Sequence, residues 1–138
     1  MTKTRYGRAA AAAAVGLLAG AMGGLGGADA AAGPAGDAEA GAELYAAQCR
    51  GCHTVSIAPT LRGVADRPIA GVSGFGGYSE ALKARSSQRW TVETLDAFLA
   101  APQAFAPGTR MVMAVPDAQA RADIIAYLLT LPPPRVVQ

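Results

Sequence analysis

The chain has 138 residues, 51% hydrophobic and 16% charged, with 12 basic and 10 acidic side chains for a formal net charge of +2. That describes one small domain with no concentrated basic stretch, which excludes recognition of a nucleic-acid backbone. Two cysteines and one histidine are too few for a disulfide scaffold or a four-ligand zinc site.

The positive balance sits at the amino terminus. Lys3, Arg5 and Arg8 precede an uncharged run over residues 9–28, made almost wholly of alanine, glycine and a few leucines; Asp29 and Ala30 follow. Basic, apolar and small-residue segments in that order predict a cleavable export signal over residues 1–30. A retained membrane anchor is the competing reading, since the run is about long enough to span a bilayer. Its apolarity is weak, however, and small residues stand at the two positions a signal peptidase reads. Cleavage after Ala30 or Ala32 leaves a neutral domain, nine acidic side chains against nine basic ones. No strongly basic docking face follows from it.

Residues 31–36 read as a small-residue linker, and residues 37–138 as the domain. Asp37 is placed to cap a first helix running to about Cys49, with Leu44 and Tyr45 on its buried face. Residues 54–77 show no sustained periodicity and are punctuated by Pro59, Gly63, Pro68, Gly71, Gly74, Gly76 and Gly77, so they read as loop. A short helix is expected over residues 78–84. Thr91 caps a helix carrying Val92, Leu95, Phe98 and Leu99, which Pro102 stops; residues 102–116 read as a second loop. Asp117 caps the clearest helix, with Ala120, Ile124, Tyr127, Leu128 and Leu131 on one stripe, and Pro132, Pro133 and Pro134 end it. No strand is expected. So long a structureless stretch in a small domain calls for a reason, and short helices bury little by themselves. A large flat apolar cofactor wrapped by the loops answers both points.

Cys49-Arg50-Gly51-Cys52-His53 supplies the means of holding one. It is C-x-x-C-H, the attachment pattern for c-type haem. Each thiol adds to one porphyrin vinyl group, and the next residue offers an imidazole to the iron. These five positions contain every cysteine and histidine of the chain. A disulfide across so small a loop would stabilise little. A thioredoxin-like pair would need a βαβ setting that the pattern lacks. Beyond the leader, Met111 and Met113 are the only thioethers for a sixth ligand. Residues two apart in an extended segment point the same way, so alternation does not choose between them.

From about Gly41 to Leu131 the chain resembles class I cytochrome c, the family of mitochondrial cytochrome c and its bacterial relatives. Gly41 and Tyr45 precede Cys49-Arg50-Gly51-Cys52-His53 as the family's first helix does. Pro107-Gly108-Thr109-Arg110-Met111 is close to the family's methionine loop, and residues 121–128 match its last helix. The resemblance implies an all-α fold of short helices and long loops around one haem c bound through Cys49 and Cys52. It makes His53 and Met111 the iron ligands and Pro59 the carbonyl that accepts from the proximal imidazole. It implies propionate contacts from Arg67, Trp90 and Thr109, and places Tyr78 in the loop over the haem edge. Three departures stand out. Ala58 replaces a glycine before the loop proline, and Phe98 replaces a tyrosine that often bonds the methionine sulfur. Lys83 is the only lysine after the leader, so the lysine ring of the mitochondrial proteins is missing.

Two axial ligands leave no open position for substrate chemistry. The resulting expectation is a monomeric periplasmic or otherwise extracytoplasmic electron carrier, not an enzyme. It would dock transiently with redox protein donors and acceptors and touch a membrane only if residues 1–30 are kept. A haem subunit bound stably to a periplasmic dehydrogenase or respiratory complex is the alternative. An open-iron ligand-binding or peroxidase-like protein ranks third.

Overall fold

The computed structural model describes residues 34–135, and the expected export signal and the start of the linker lie outside them. Six helices follow in order: α1 (Ala38–Gln48), α2 (Arg50–His53), α3 (Glu80–Lys83), α4 (Val92–Ala100), α5 (Pro102–Phe105) and α6 (Ala118–Thr130). The fold is all-α, and the described residues contain no strand. An isolated antiparallel bridge joins Pro68 to Arg89.

The three longest helices begin at the caps that the sequence predicts. The Asp37 carboxylate accepts the N–H of Glu39 at 2.8 Å and of Ala40 at 3.2 Å. Thr91 and Thr94 form a reciprocal capping box at the start of α4. Asp117 accepts from the Ala120 N–H at 2.7 Å. Each such cap satisfies orphan amides and stabilises its helix by about 1 kcal/mol.

Two elements differ from expectation. The helix expected over residues 78–84 starts at Glu80, because the Ser79 hydroxyl accepts the Leu82 N–H at 3.2 Å and sets the first turn there. Tyr78 is thereby left in the preceding loop. The loop expected over residues 102–116 begins instead with α5, whose first residue is Pro102. Proline ends α4 and opens the next turn, since an N–H at the first helical position has no intrahelical partner to lose.

α1 and α4 both pack on α6. That is why α6 buries Asp123 and Ile125 as well as Ile124 and Leu128, a wider face than the single predicted stripe. On α1 the fully buried position is Gly41, with Leu44 and Tyr45 only half-buried. A Cβ on Gly41 would stand 1.9 Å from the Asp123 carbonyl oxygen, so the two helices cross with backbones almost touching. Tyr45 and Tyr127 flank the crossing, their ring centroids 5.2 Å apart. Asp123 fastens it, accepting the Asp37 N–H and the Gln119 amide, each at 2.8 Å. Gly41→Ala must push α1 off α6, and overpacking of this kind costs about 3 kcal/mol. Denaturant unfolding of the holoprotein should show that loss, while Gly51→Ala, with open space around its Cβ, should stay near wild type.

The core itself is slight. The largest side chains fully withdrawn from water are Ile69, Ile124 and Val64; Leu82, Leu95, Leu99, Ile125 and Leu128 add to them. Residues 54–79 contribute turns but no helix.

Candidate functional site

α1 ends at Cys49, whose N–H still reaches the Tyr45 carbonyl at 2.9 Å. The Cys49 carbonyl then accepts from both Cys52 (3.3 Å) and His53 (3.1 Å), winding the chain into α2. Cysteines three apart on such a turn share one face. Both are free thiols; Cys49 is buried and Cys52 exposed. Burial pushes the Cys49 thiol up, away from thiolate. The two thiols are not joined as a disulfide, and burial keeps Cys49 from being an activated nucleophile.

His53 is half-buried, and its Nδ1 lies 2.6 Å from the Pro59 carbonyl oxygen. A carbonyl can only accept, so Nδ1 carries the proton and Nε2 is left with its lone pair. Burial also lowers the imidazole's pKa and favours the neutral ring. A metal-binding histidine is oriented in this way, through the ring nitrogen that does not bind.

Arg67 braces the proximal loop. It donates from Nη2 to the Thr60 carbonyl at 2.8 Å and from Nη1 to the Arg62 carbonyl at 3.0 Å. Its Nε is buried with no partner. Burial lowers its pKa, and the only opposing influence is the phenol of Tyr78. The guanidinium is half-buried, and a withdrawn Nε–H with no carboxylate beside it is a donor that an anion would complete. The Tyr78 hydroxyl accepts the Val72 N–H at 3.2 Å, and Phe75 meets the Tyr78 ring edge-on at 4.9 Å. Trp90 joins Arg67 through the backbone, its N–H reaching the Arg67 carbonyl at 3.0 Å. The indole packs on Phe98 (5.2 Å) and Phe105 (6.0 Å). Phe98 thus fills an aromatic cluster and brings no hydroxyl toward the methionine loop.

On the opposite segment Thr109 is buried, while Met111 is half-buried against the core. Met113 is 41% exposed, so the structure separates two methionines that alternation leaves equivalent. Gly108, at φ +76°, makes the turn that brings the segment round. Gln103 and Arg121 were not singled out by the sequence. Gln103 reaches the carbonyls of Thr109 and Met111, and Arg121 holds those of Val115 (3.0 Å) and Pro116 (2.8 Å) while pairing with Asp96 at 2.6 Å. The signal for Arg121 lay in its position, four residues after the Asp117 cap at the mouth of the loop.

A thiol pair on one helical face, a neutral imidazole with Nε2 free and a half-buried guanidinium whose withdrawn Nε lacks a partner together fit a covalently held haem with carboxylate side arms. These are the features of a c-type haem protein. The chain belongs to the cytochrome c family, whose Cytochrome c model matches residues 38–132. Cytochrome c-type cyt cy of Rhodobacter capsulatus is 44% identical over 102 residues, which are 70% of this chain and 50% of that protein. Cytochrome c 2.1 of Caenorhabditis elegans is 44% identical over 69% of this chain and 89% of its own length. This chain thus spans about half of the first relative and most of the second. Among solved structures, cytochrome cH from Methylobacterium extorquens matches with a TM-score of 0.59 and 38% identity, over 69% of this chain and 99% of its own. Members of this family carry one covalent haem c and transfer electrons, and Cys49 and Cys52 are the two cysteines present here for its attachment.

Proposed function

We propose that the protein is a soluble one-electron carrier working outside the cytoplasm, with His53 and Met111 as the axial ligands of its haem. The observation that carries this reading is the pairing of a pre-oriented His53 with a Met111 turned toward the core. Haem supplies a one-electron iron couple, and a thioether ligand favours the reduced form, so the potential should be high. The chain's own residues do the rest. Pro59 fixes the imidazole, and Arg67 would neutralise a haem propionate. Tyr78, Trp90 and Thr109 would line the propionate side of the haem. A pocket of about 300 Å³ lies between the Gly76–Gly77 loop and the methionine loop, bordered by Tyr78, Ser79, Gly108 and Arg110.

The export reading rests on the leader-like residues 1–30 and on the thiol chemistry, since free thiols outside the cytoplasm tend to oxidise unless attached. No helix among the described residues is long and apolar enough to cross a membrane. Donor and acceptor are redox proteins met in brief, small interfaces.

A potentiometric titration tests the carrier assignment. It should give a single one-electron wave, with no peroxide turnover by the same sample. A second wave, or peroxide turnover at enzyme-like rates, contradicts it. Charge makes a further prediction. Residues 34–135 carry nine acidic and nine basic side chains. The rate of electron exchange with a small protein partner should therefore change less than about threefold between low salt and 0.3 M, where screening is nearly complete. A steep fall with salt would instead reveal segregated charge at the docking face.

A further inference from the structure

Met111 sits in a segment with little to hold it. The backbone is tied at Thr109, whose N–H reaches the Ala106 carbonyl at 3.1 Å, and at Val115, whose N–H reaches Leu99 at 2.8 Å. Between those tethers the cross-link among the described residues is the side chain of Gln103. Its Nε2 donates to the Thr109 carbonyl at 2.6 Å and lies 3.4 Å from the Met111 carbonyl. An amide nitrogen has two hydrogens, one for each oxygen. Both partners are carbonyls, so the nitrogen end must face them.

Gln103 is itself exposed, but it stands on a rigid base. Pro102 beside it is buried at the first position of α5. Phe105, at the other end of that turn, stacks on Trp90, meets Phe98 edge-on at 5.5 Å and lies 4.4 Å beneath the Arg85 guanidinium. Hydrogen bonds from a fixed base restrain the methionine segment rather than follow it.

We infer that Gln103 is a positioning residue for the sixth ligand: its amide clamps the Thr109–Met111 backbone and slows departure of the thioether from the iron. The inference rests on the assignment of Met111 as that ligand. The side chain touches neither iron nor porphyrin, and its effect passes through the backbone of the ligand itself.

The test uses ferric holoprotein and imidazole as an external ligand, whose binding at saturation is limited by loss of methionine. Gln103→Leu removes both donors, and Gln103→Glu sets a carboxylate against two carbonyl oxygens. Each should raise the limiting rate about tenfold, the factor expected for two lost hydrogen bonds of ordinary strength. Gln103→Lys keeps a donor at similar reach and should stay within about twofold of wild type. Denaturation midpoints of all three should remain close to wild type. Limiting rates unchanged in Leu and Glu variants overturn the clamp. A rise matched by an equal loss of global stability also overturns it, because the role would then be general support. A wild-type protein without the far-red sulfur-to-iron band refutes the ligand assignment, a failure distinct from the other two.

Discussion

Met111→Ala should abolish the far-red absorption of the oxidised protein and let the reduced protein bind carbon monoxide within mixing time. The midpoint potential should fall by on the order of 100 mV, because a neutral thioether that disfavours the ferric ion is replaced by water or a harder ligand. Met113→Ala should change none of these. The contrast is sharp because the two residues are chemically identical and two positions apart. One is half-buried on the core and the other is 41% exposed. Met113 is free to be an ordinary surface methionine. If both variants lose the band, the segment as a whole is needed; if only Met113→Ala does, the assignment is reversed.

The second large effect concerns attachment. Cys49→Ala/Cys52→Ala should yield protein with no covalent haem, and most of its tertiary structure should go with it. The physical reason is the thin core. Ile69, Ile124 and Val64 are the largest fully buried side chains, and the stretch from residue 54 to residue 79 has no helix to hold it. A domain of this size is marginal without a staple. α1 and α6 cross in close backbone contact at Gly41, so some helix should survive while fixed side-chain packing is lost. Near-ultraviolet circular dichroism would then be flat, with far-ultraviolet signal partly retained. Native-like near-ultraviolet dichroism in the haem-free variant would mean that the chain packs without its cofactor.

The sequence carried the site more fully than it carried the scaffold. Cys49, Cys52 and His53 declare their chemistry by spacing, and Asp37, Thr91 and Asp117 act locally, so their caps are visible in the sequence as well. α5 was hidden because Pro102 reads first as the end of α4; only its tolerance at a first helical position marks it as a beginning. Asp123 was hidden for a different reason. A carboxylate on an amphipathic helix is ordinarily a solvated face, and nothing local shows that the N–H of Asp37, 86 residues away, will be its partner. Gln103 is similar, since its role depends on a loop folding back over α5. For Arg67 the family resemblance proposes a propionate contact. Its grip on the Thr60 and Arg62 carbonyls, which steadies the loop carrying Pro59, required the coordinates.

The central claim is a haem iron held on one side by His53 and on the other by Met111. Visible spectra of the matured holoprotein, oxidised and reduced, with and without carbon monoxide, test it most directly. A far-red sulfur-to-iron band in the oxidised form, and a reduced spectrum unchanged by carbon monoxide, is the predicted result. No such band, together with rapid carbon monoxide binding, would contradict it and point to an open iron.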